Sequence, residues 1–255
     1  MSTKRLVLIT GATSGIGEAT ARLLAKNDFR LIICGRRKDR LKKLEQELIQ
    51  STEVKSLAFD VRNRKEVTEA IQSLTDTWKN IDVLINNAGN AHGLDPIQSG
   101  NVDDWDAMID INVKGLLYVS REILPGMVER NGGHVINLGS IAGKEAYANG
   151  NVYCGSKFAV DAITKGMRID LNAHGIKVTA IHPGLVETEF SLVRFKGDEQ
   201  KARSVYKGYQ PLKGEDIADL ILFALTRPGH VVVADLVVFP VAQASATVVK
   251  KSINV

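Results

Sequence analysis

The 255 residues are 44% hydrophobic and 24% charged, which excludes a disordered or fibrous chain and supplies core enough for one large α/β domain. A net charge of +4, scattered and without interleaved aromatics, argues against a nucleic-acid partner, and no apolar run approaches the roughly 20 residues of a membrane span. Two distant cysteines give no disulfide framework, and the first residues lack the apolar core of a signal peptide; a cytoplasmic protein is expected.

Leu6 to Thr10 is a continuous apolar run, the pattern of a strand buried on both faces. Gly11-Ala-Thr13-Ser14-Gly15-Ile16-Gly17 follows at once, then a helix from about Glu18 to Asn27. Strand, glycine-rich turn and helix are the setting of a phosphate cradle: glycines admit a pyrophosphate, and a helix N-terminus offers free N–H groups. Leu31 to Cys34 is the second strand and ends in Gly35-Arg36-Arg37. An acidic residue at that position would hold the ribose 2′-hydroxyl of NAD; arginines suit the 2′-phosphate of NADP, Arg36 before Arg37.

An amphipathic helix spans Lys38 to Gln50 and a third strand Lys55 to Phe59, with Asp60 and Val61 placed beside an adenine. Arg64 to Thr77 reads as one helix. A fourth strand, Val83 to Ile85, ends in Asn86-Asn87-Ala88-Gly89. After a polar loop, a helical pattern runs from Val102 to about Ile123 and encloses Asn112, an uncommon helix-interior residue.

His134 to Leu138 is a short buried strand with Ser140 just beyond its tip. Helical spacing resumes from Asn151 to Ala173, and it sets Tyr153 and Lys157 one turn apart on one face. A serine facing such a pair is an acid/base constellation, because an adjacent ammonium favours the ionised phenol. Lys177 to Ile181 is the sixth strand, broken by His182-Pro183-Gly184. The segment at about 189–210 is polar, basic and aperiodic, the character of a substrate lid on a single domain covering 1–255. A short helix from Asp216 to Leu225, a last strand from Val231 to Phe239 and a small polar tail complete the chain. Histidines and cysteines show no ligand spacing, so no metal is expected.

Alternating strands and helices imply a Rossmann-type doubly wound, mostly parallel seven-stranded sheet with helices on both faces. The glycine loop, the Asn-Asn-Ala-Gly turn, Ser140 and the Pro-Gly turn all fall at carboxyl ends of strands, where such sheets bind ligands.

With these residues in place, the chain resembles the classical short-chain dehydrogenase/reductase family over nearly its whole length. Thr10 to Gly17 is similar to that family's cofactor loop and Asn86 to Gly89 to its structural turn. Asn112, Ser140, Tyr153 and Lys157 match its catalytic tetrad; Pro183, Gly184, Val186 and Thr188 match the segment placed against the nicotinamide. Within the family, Asp60 to Arg64, Leu124 to Asn131 and Pro183 to Asp198 resemble the NADP-dependent 3-hydroxy acid dehydrogenases, which also oxidise serine and allo-threonine.

The resemblance implies NADP as cofactor, a small-molecule substrate, Tyr153 as acid/base and Lys157 lowering its pKa while holding the nicotinamide ribose. It also implies a homotetramer, in keeping with two long helices apolar on more than one face. A substrate carboxylate would need a cation, for which Arg194, Lys196 and His182 are the candidates. A broad carbonyl or 3-oxoacyl reductase is the alternative enzyme, and an inactive NADP-binding sensor the alternative outside catalysis.

Overall fold

β1 (Arg5–Ile9) is the pivot of the architecture, paired on one side with β2 (Phe29–Gly35) and on the other with β4 (Val83–Asn86). The computed structural model describes residues 4–252. Beyond these three strands lie β3 (Val54–Ala58), β5 (Gly133–Leu138), β6 (Ile176–Pro183) and β7 (Asp235–Val238). The sheet order is β3-β2-β1-β4-β5-β6-β7, and each pairing is parallel. This is the expected Rossmann-type fold, and the strand order reverses at β1 and β4, where a crevice opens.

The two faces of the sheet follow from side-chain alternation. Val7, Ile9, Leu31 and Ile33 point to one side and pack with Leu24 of α1 (Gly15–Ala25), Leu41 of α2 (Lys38–Leu48) and Ile217 of α10 (Gly214–Leu225). Leu6, Leu8 and Ile32 point to the other. They meet Val67 of α3 (Arg64–Gln72), Val119 of α6 (Gly115–Glu129) and Leu171 of α7 (Asn151–Leu171). Burying each such side chain stabilises by about 1.5–3 kcal/mol, so the strands must read as continuous apolar runs.

Several elements depart from the expected boundaries, and β6 runs on through His182 and Pro183, which were expected to break it, because both are paired with β7. The helix expected over Arg64 to Thr77 stops at Gln72, and a separate turn of helix, α4 (Asp76–Lys79), follows. Ser73 Oγ donates to the Ala70 carbonyl at 2.7 Å, a local bond that competes with continued helix. The helix expected from Val102 to Ile123 is instead α5 (Val102–Ile109), a π turn over Asp110–Lys114, and α6. α6 runs through Pro125 to Glu129, its last turn anchored by fully buried Met127.

The last strand is shorter than Val231 to Phe239. Val231 is held in a turn on Pro228, and β6 offers partners only from Ala180 to Pro183. The stretch at about 189–210 contains two short helices, α8 (Phe190–Arg194) and α9 (Glu199–Val205). Among the described residues no helix is long and apolar enough to cross a membrane.

Candidate active site

A cleft of about 400 Å³ runs along the carboxyl ends of β1, β2, β4, β5 and β6. Its first wall is the turn between β1 and α1. Gly11 and Gly15 take positive φ of 67° and 54°, a region costly for other residues. A Cβ at Gly17 would fall on Asn87 Nδ2 and the Gly11 carbonyl, so glycine is required for the helix to start this close to the turn.

The Asn-Asn-Ala-Gly turn braces this wall. Thr10 Oγ1 accepts from Asn87 N and Ala88 N, both at 3.0 Å, and Asn87 Nδ2 donates to the Thr10 carbonyl at 2.9 Å. Of the expected cofactor residues, Gly11, Thr13, Ser14, Gly15, Ile16, Arg36, Arg37, Asp60, Val61, Asn87, Ala88, Gly89, Tyr153, Lys157, Pro183, Gly184, Val186 and Thr188 all line the cleft; Gly17 lies beneath it.

The arginines at the β2 end are engaged unequally. Arg37 donates to Thr13 Oγ1 and to Ser14 Oγ (2.7 Å), and pairs with Glu189 at 2.7 Å. Arg40, which the sequence did not single out, pairs with the same carboxylate at 2.6 Å. Arg36 is half exposed and 3.5 Å from Asp60. Asp60 is itself gripped by Arg62 at 2.7 Å, which holds its carboxyl below the usual range against the opposing effect of burial. A rim of guanidinium donors beside a glycine cradle fits a dinucleotide with a 2′-phosphate, Arg36 having the guanidinium least committed to protein partners.

At the other end stand the candidate reacting groups. Ser140 Oγ accepts from Ala142 N at 3.1 Å. Tyr153 is 8% exposed, and burial pushes its phenol up to about 12, with Tyr147 adding to the rise. Arg194 and Ser140 pull it back down. Lys157 is expected to lower the phenol's pKa, but its Nζ donates to the Leu138 carbonyl at 2.8 Å, and burial alone pushes the ammonium down to about 8. Arg194 is a cation that acts on Tyr153 in this geometry.

Asn112 sits in the π turn. Its carboxamide exchanges two 2.9 Å bonds with the main chain of Asn90 and donates a third to Ser156 Oγ. It fixes the loop after β4 without lining the cleft.

The three candidates for an anionic substrate separate cleanly. Arg194 lines the cleft: its guanidinium carbon lies 4.9 Å from the Tyr153 ring centre and 5.1 Å from that of Phe190, and Nη2 donates to Tyr147 Oη at 2.8 Å. Its Nε is buried with no hydrogen-bond partner among the described residues. Lys196 does not reach the cleft; the chain turns with positive φ of 53° after α8, and its ammonium pairs with Asp104 at 2.8 Å. His182, expected at the rim, is fully buried behind the site, because alternation along β6 turns it toward α7.

Some lining residues escaped the sequence reading. Tyr147 and Tyr206 form walls beside Phe190, and Gln243 reaches in from the tail to accept from Leu185 N at 2.8 Å. The stretch Tyr147 to Tyr153 held a signal, since two tyrosines bracket the helix start; Gln243 held none.

Comparison with known proteins agrees with this geometry. Residues 5–198 match the model of the short chain dehydrogenase family. The chain is 47% identical over 242 residues to an NADP-dependent 3-hydroxy acid dehydrogenase of Salmonella typhi, covering 94% of this chain and 97% of that one. It is 43% identical over 240 residues to sulfoacetaldehyde reductase 2 of Chromohalobacter salexigens, covering 94% and 95%. The closed form of a serine dehydrogenase complexed with NADP+ superposes with a TM-score of 0.91 at 46% identity, covering 94% of this chain and 97% of that one. A glycine cradle, a Ser-Tyr-Lys constellation and a parallel sheet that carries both are thus joined to full-length likeness, and the chain belongs to the short-chain dehydrogenase family.

Proposed function

We propose that the protein is an NADP-dependent oxidoreductase acting on the hydroxyl carbon of small 3-hydroxy acids or hydroxy amino acids such as serine and allo-threonine. The relatives above act on such acids or, for the reductase, on a sulfonate. The observation that carries the acidic substrate is Arg194: a guanidinium against the face of Tyr153, with a buried Nε–H unpaired. A buried donor without a partner is costly, and a carboxylate or sulfonate would satisfy it.

NADP, when bound, supplies the hydride chemistry at the hydroxyl carbon. The glycine loop's N–H groups would hold the diphosphate, and Arg36 and Arg37 the 2′-phosphate. Ser140 holds the substrate oxygen and steadies the charge that develops on it. Tyr153 takes the hydroxyl proton in oxidation and returns it in reduction. Lys157 holds the ribose, and Asn112 keeps the Asn90 loop in place. The segment at 189–210 serves as the lid that brings Arg194 to the substrate. The assembly is a cytoplasmic homotetramer built on the outer faces of α6 and α7.

Substituting Arg194→Ala is expected to weaken kcat/KM for 3-hydroxy acids by about 1.5–3 kcal/mol relative to neutral alcohols of similar size. The measurement is a paired substrate series with NADP, including a sulfonate. Equal losses on charged and neutral substrates would show that Arg194 shapes the lid and does not read the anion.

A further inference from the structure

Behind Ser140 lies a polar cluster that the catalytic reading leaves without a task. His182 at the end of β6 is fully buried. Its Nε2 lies 3.2 Å from Asp235 Oδ1 on β7 and 3.6 Å from Asp161 Oδ1 on α7. Its Nδ1 lies 3.3 Å from the Ser140 carbonyl. The ring also covers Gly139: a Cβ there would land on the imidazole, so the main chain before Ser140 rests on the ring face.

One histidine and two carboxylates within mutual reach have the donor set of a metal site. Here a lysine already supplies the cation. Lys144 Nζ is 2.7 Å from Asp161 Oδ1 and 3.6 Å from Asp235 Oδ1, while Lys165 takes the other oxygen of Asp161 and Arg168 that of Asp235. The carboxylates are balanced by these cations, and the imidazole is the link from that balanced cluster to the active-site main chain.

We propose that His182 is a positioning residue for the reacting centre: anchored on Asp235 and Asp161, its ring fixes the Gly139–Ser140 main chain and so sets where the Ser140 hydroxyl meets Tyr153. The geometry supports this from three directions. Gly139 N donates to Ile181 O at 2.7 Å, so β6 already grips the residue under which the ring sits. The Ser140 carbonyl accepts from Gly143 N at 2.9 Å on its other side, which leaves the imidazole to limit movement toward β7. Ser140 beside Tyr153 is one of the influences that hold the phenol's pKa down, so displacement of the serine is read out at the tyrosine. Neutral, the ring donates from one nitrogen, either Nδ1 to the Ser140 carbonyl or Nε2 to a carboxylate; protonated, it donates to both. Burial and Lys144 press toward the neutral form, and Asp235 and Asp161 toward the charged one.

The inference rests on the acid/base assignment of Tyr153, and the experiment separates the two. His182→Phe fills the volume and removes both ring nitrogens. It is expected to keep NADP affinity within about twofold while kcat for 3-hydroxy acid oxidation falls about tenfold, a change of roughly 1.4 kcal/mol in barrier. The acid limb of the oxidation profile should move to higher pH, because a phenolate that loses a donor becomes harder to form. His182→Asn, which can place a donor near the Ser140 carbonyl, should recover part of both. An unmoved limb in His182→Phe, whether or not kcat falls, overturns the proposal. If the phenylalanine variant does not fold, His182→Asn and His182→Gln decide: the asparagine is expected to hold the limb nearer its original position than the glutamine, and equal limbs overturn the idea. Tyr153→Phe is the control, since appreciable turnover there would sink the acid/base reading itself.

Discussion

Lys157 shows how a single buried charge writes itself into the pH dependence of the whole protein. Its ammonium is 7% exposed and burial depresses its pKa to about 8 from the usual 10.5. The unfolded chain therefore binds more protons than the folded one between those values, and stability rises with pH across roughly 8 to 10.5. Below about pH 8 the folded state carries the full cost of the buried charge. Thermal unfolding of the cofactor-free protein should show this gain on going from pH 7 to 9.5, and Lys157→Met should lose most of it. A slope as steep in the methionine variant would assign the effect to other groups.

The residues that the sequence exposed best were those fixed by chain direction. Ser140, Tyr153 and the glycine loop follow strand ends or helix turns, and their places in the cleft hold. Arg194 also reaches it, as the apolar neighbours in Phe190 to Phe195 suggest. His182 and Lys196 were misplaced for opposite reasons. Inward and outward positions at the end of a strand differ by one residue, and a left-handed turn after α8 throws the next cation away from the cleft. The coupling of Arg37 and Arg40 through Glu189 joins residues far apart in the chain, and no local pattern announces it.

Among elements, the strand–turn–helix unit of β1 and α1 is the one with least freedom. Gly17→Ala would press a methyl group onto the Gly11 carbonyl and Asn87, both main-chain-anchored, so relief requires moving the turn. Overpacking of this kind costs about 1–3 kcal/mol. A lower melting temperature and weaker NADP binding are the expected outcomes, measured by thermal unfolding and by titration; unchanged NADP affinity would mean that the turn tolerates the shift. The parallel strands were legible because they are apolar on both faces. The π turn was not: one extra residue in a helix leaves hydrophobic spacing nearly intact, and only the main-chain bonds reveal it. Its effect is to bring Asn112 against the loop after β4, which a regular helix would not need.

At the scale of the molecule, the outer surface is not uniformly polar. Ile169, 78% exposed, lies on α7 with Phe158, and Leu117 is exposed on the adjoining α6. Apolar side chains displayed along two long helices call for a partner, and a second copy joined by a two-fold axis supplies one. Sedimentation at micromolar concentration is expected to give a tetramer, and Ile169→Asp to give smaller species with each subunit still folded. A monomeric mass for the unaltered protein would refute the assembly.

The cleft also has a consequence for how the chain behaves in time. Its lining runs from Gly11 to Ala246, so residues far apart in the sequence share one surface. A ligand filling that space binds neither half of that lining alone as it binds both together. Its binding energy is added only to the fully assembled state, by RT ln(1 + [L]/Kd). NADP therefore acts as a late-arriving fastener: slow hydrogen exchange should spread together through the first strand and the final turns once it is present, as though the ends had been sewn to each other.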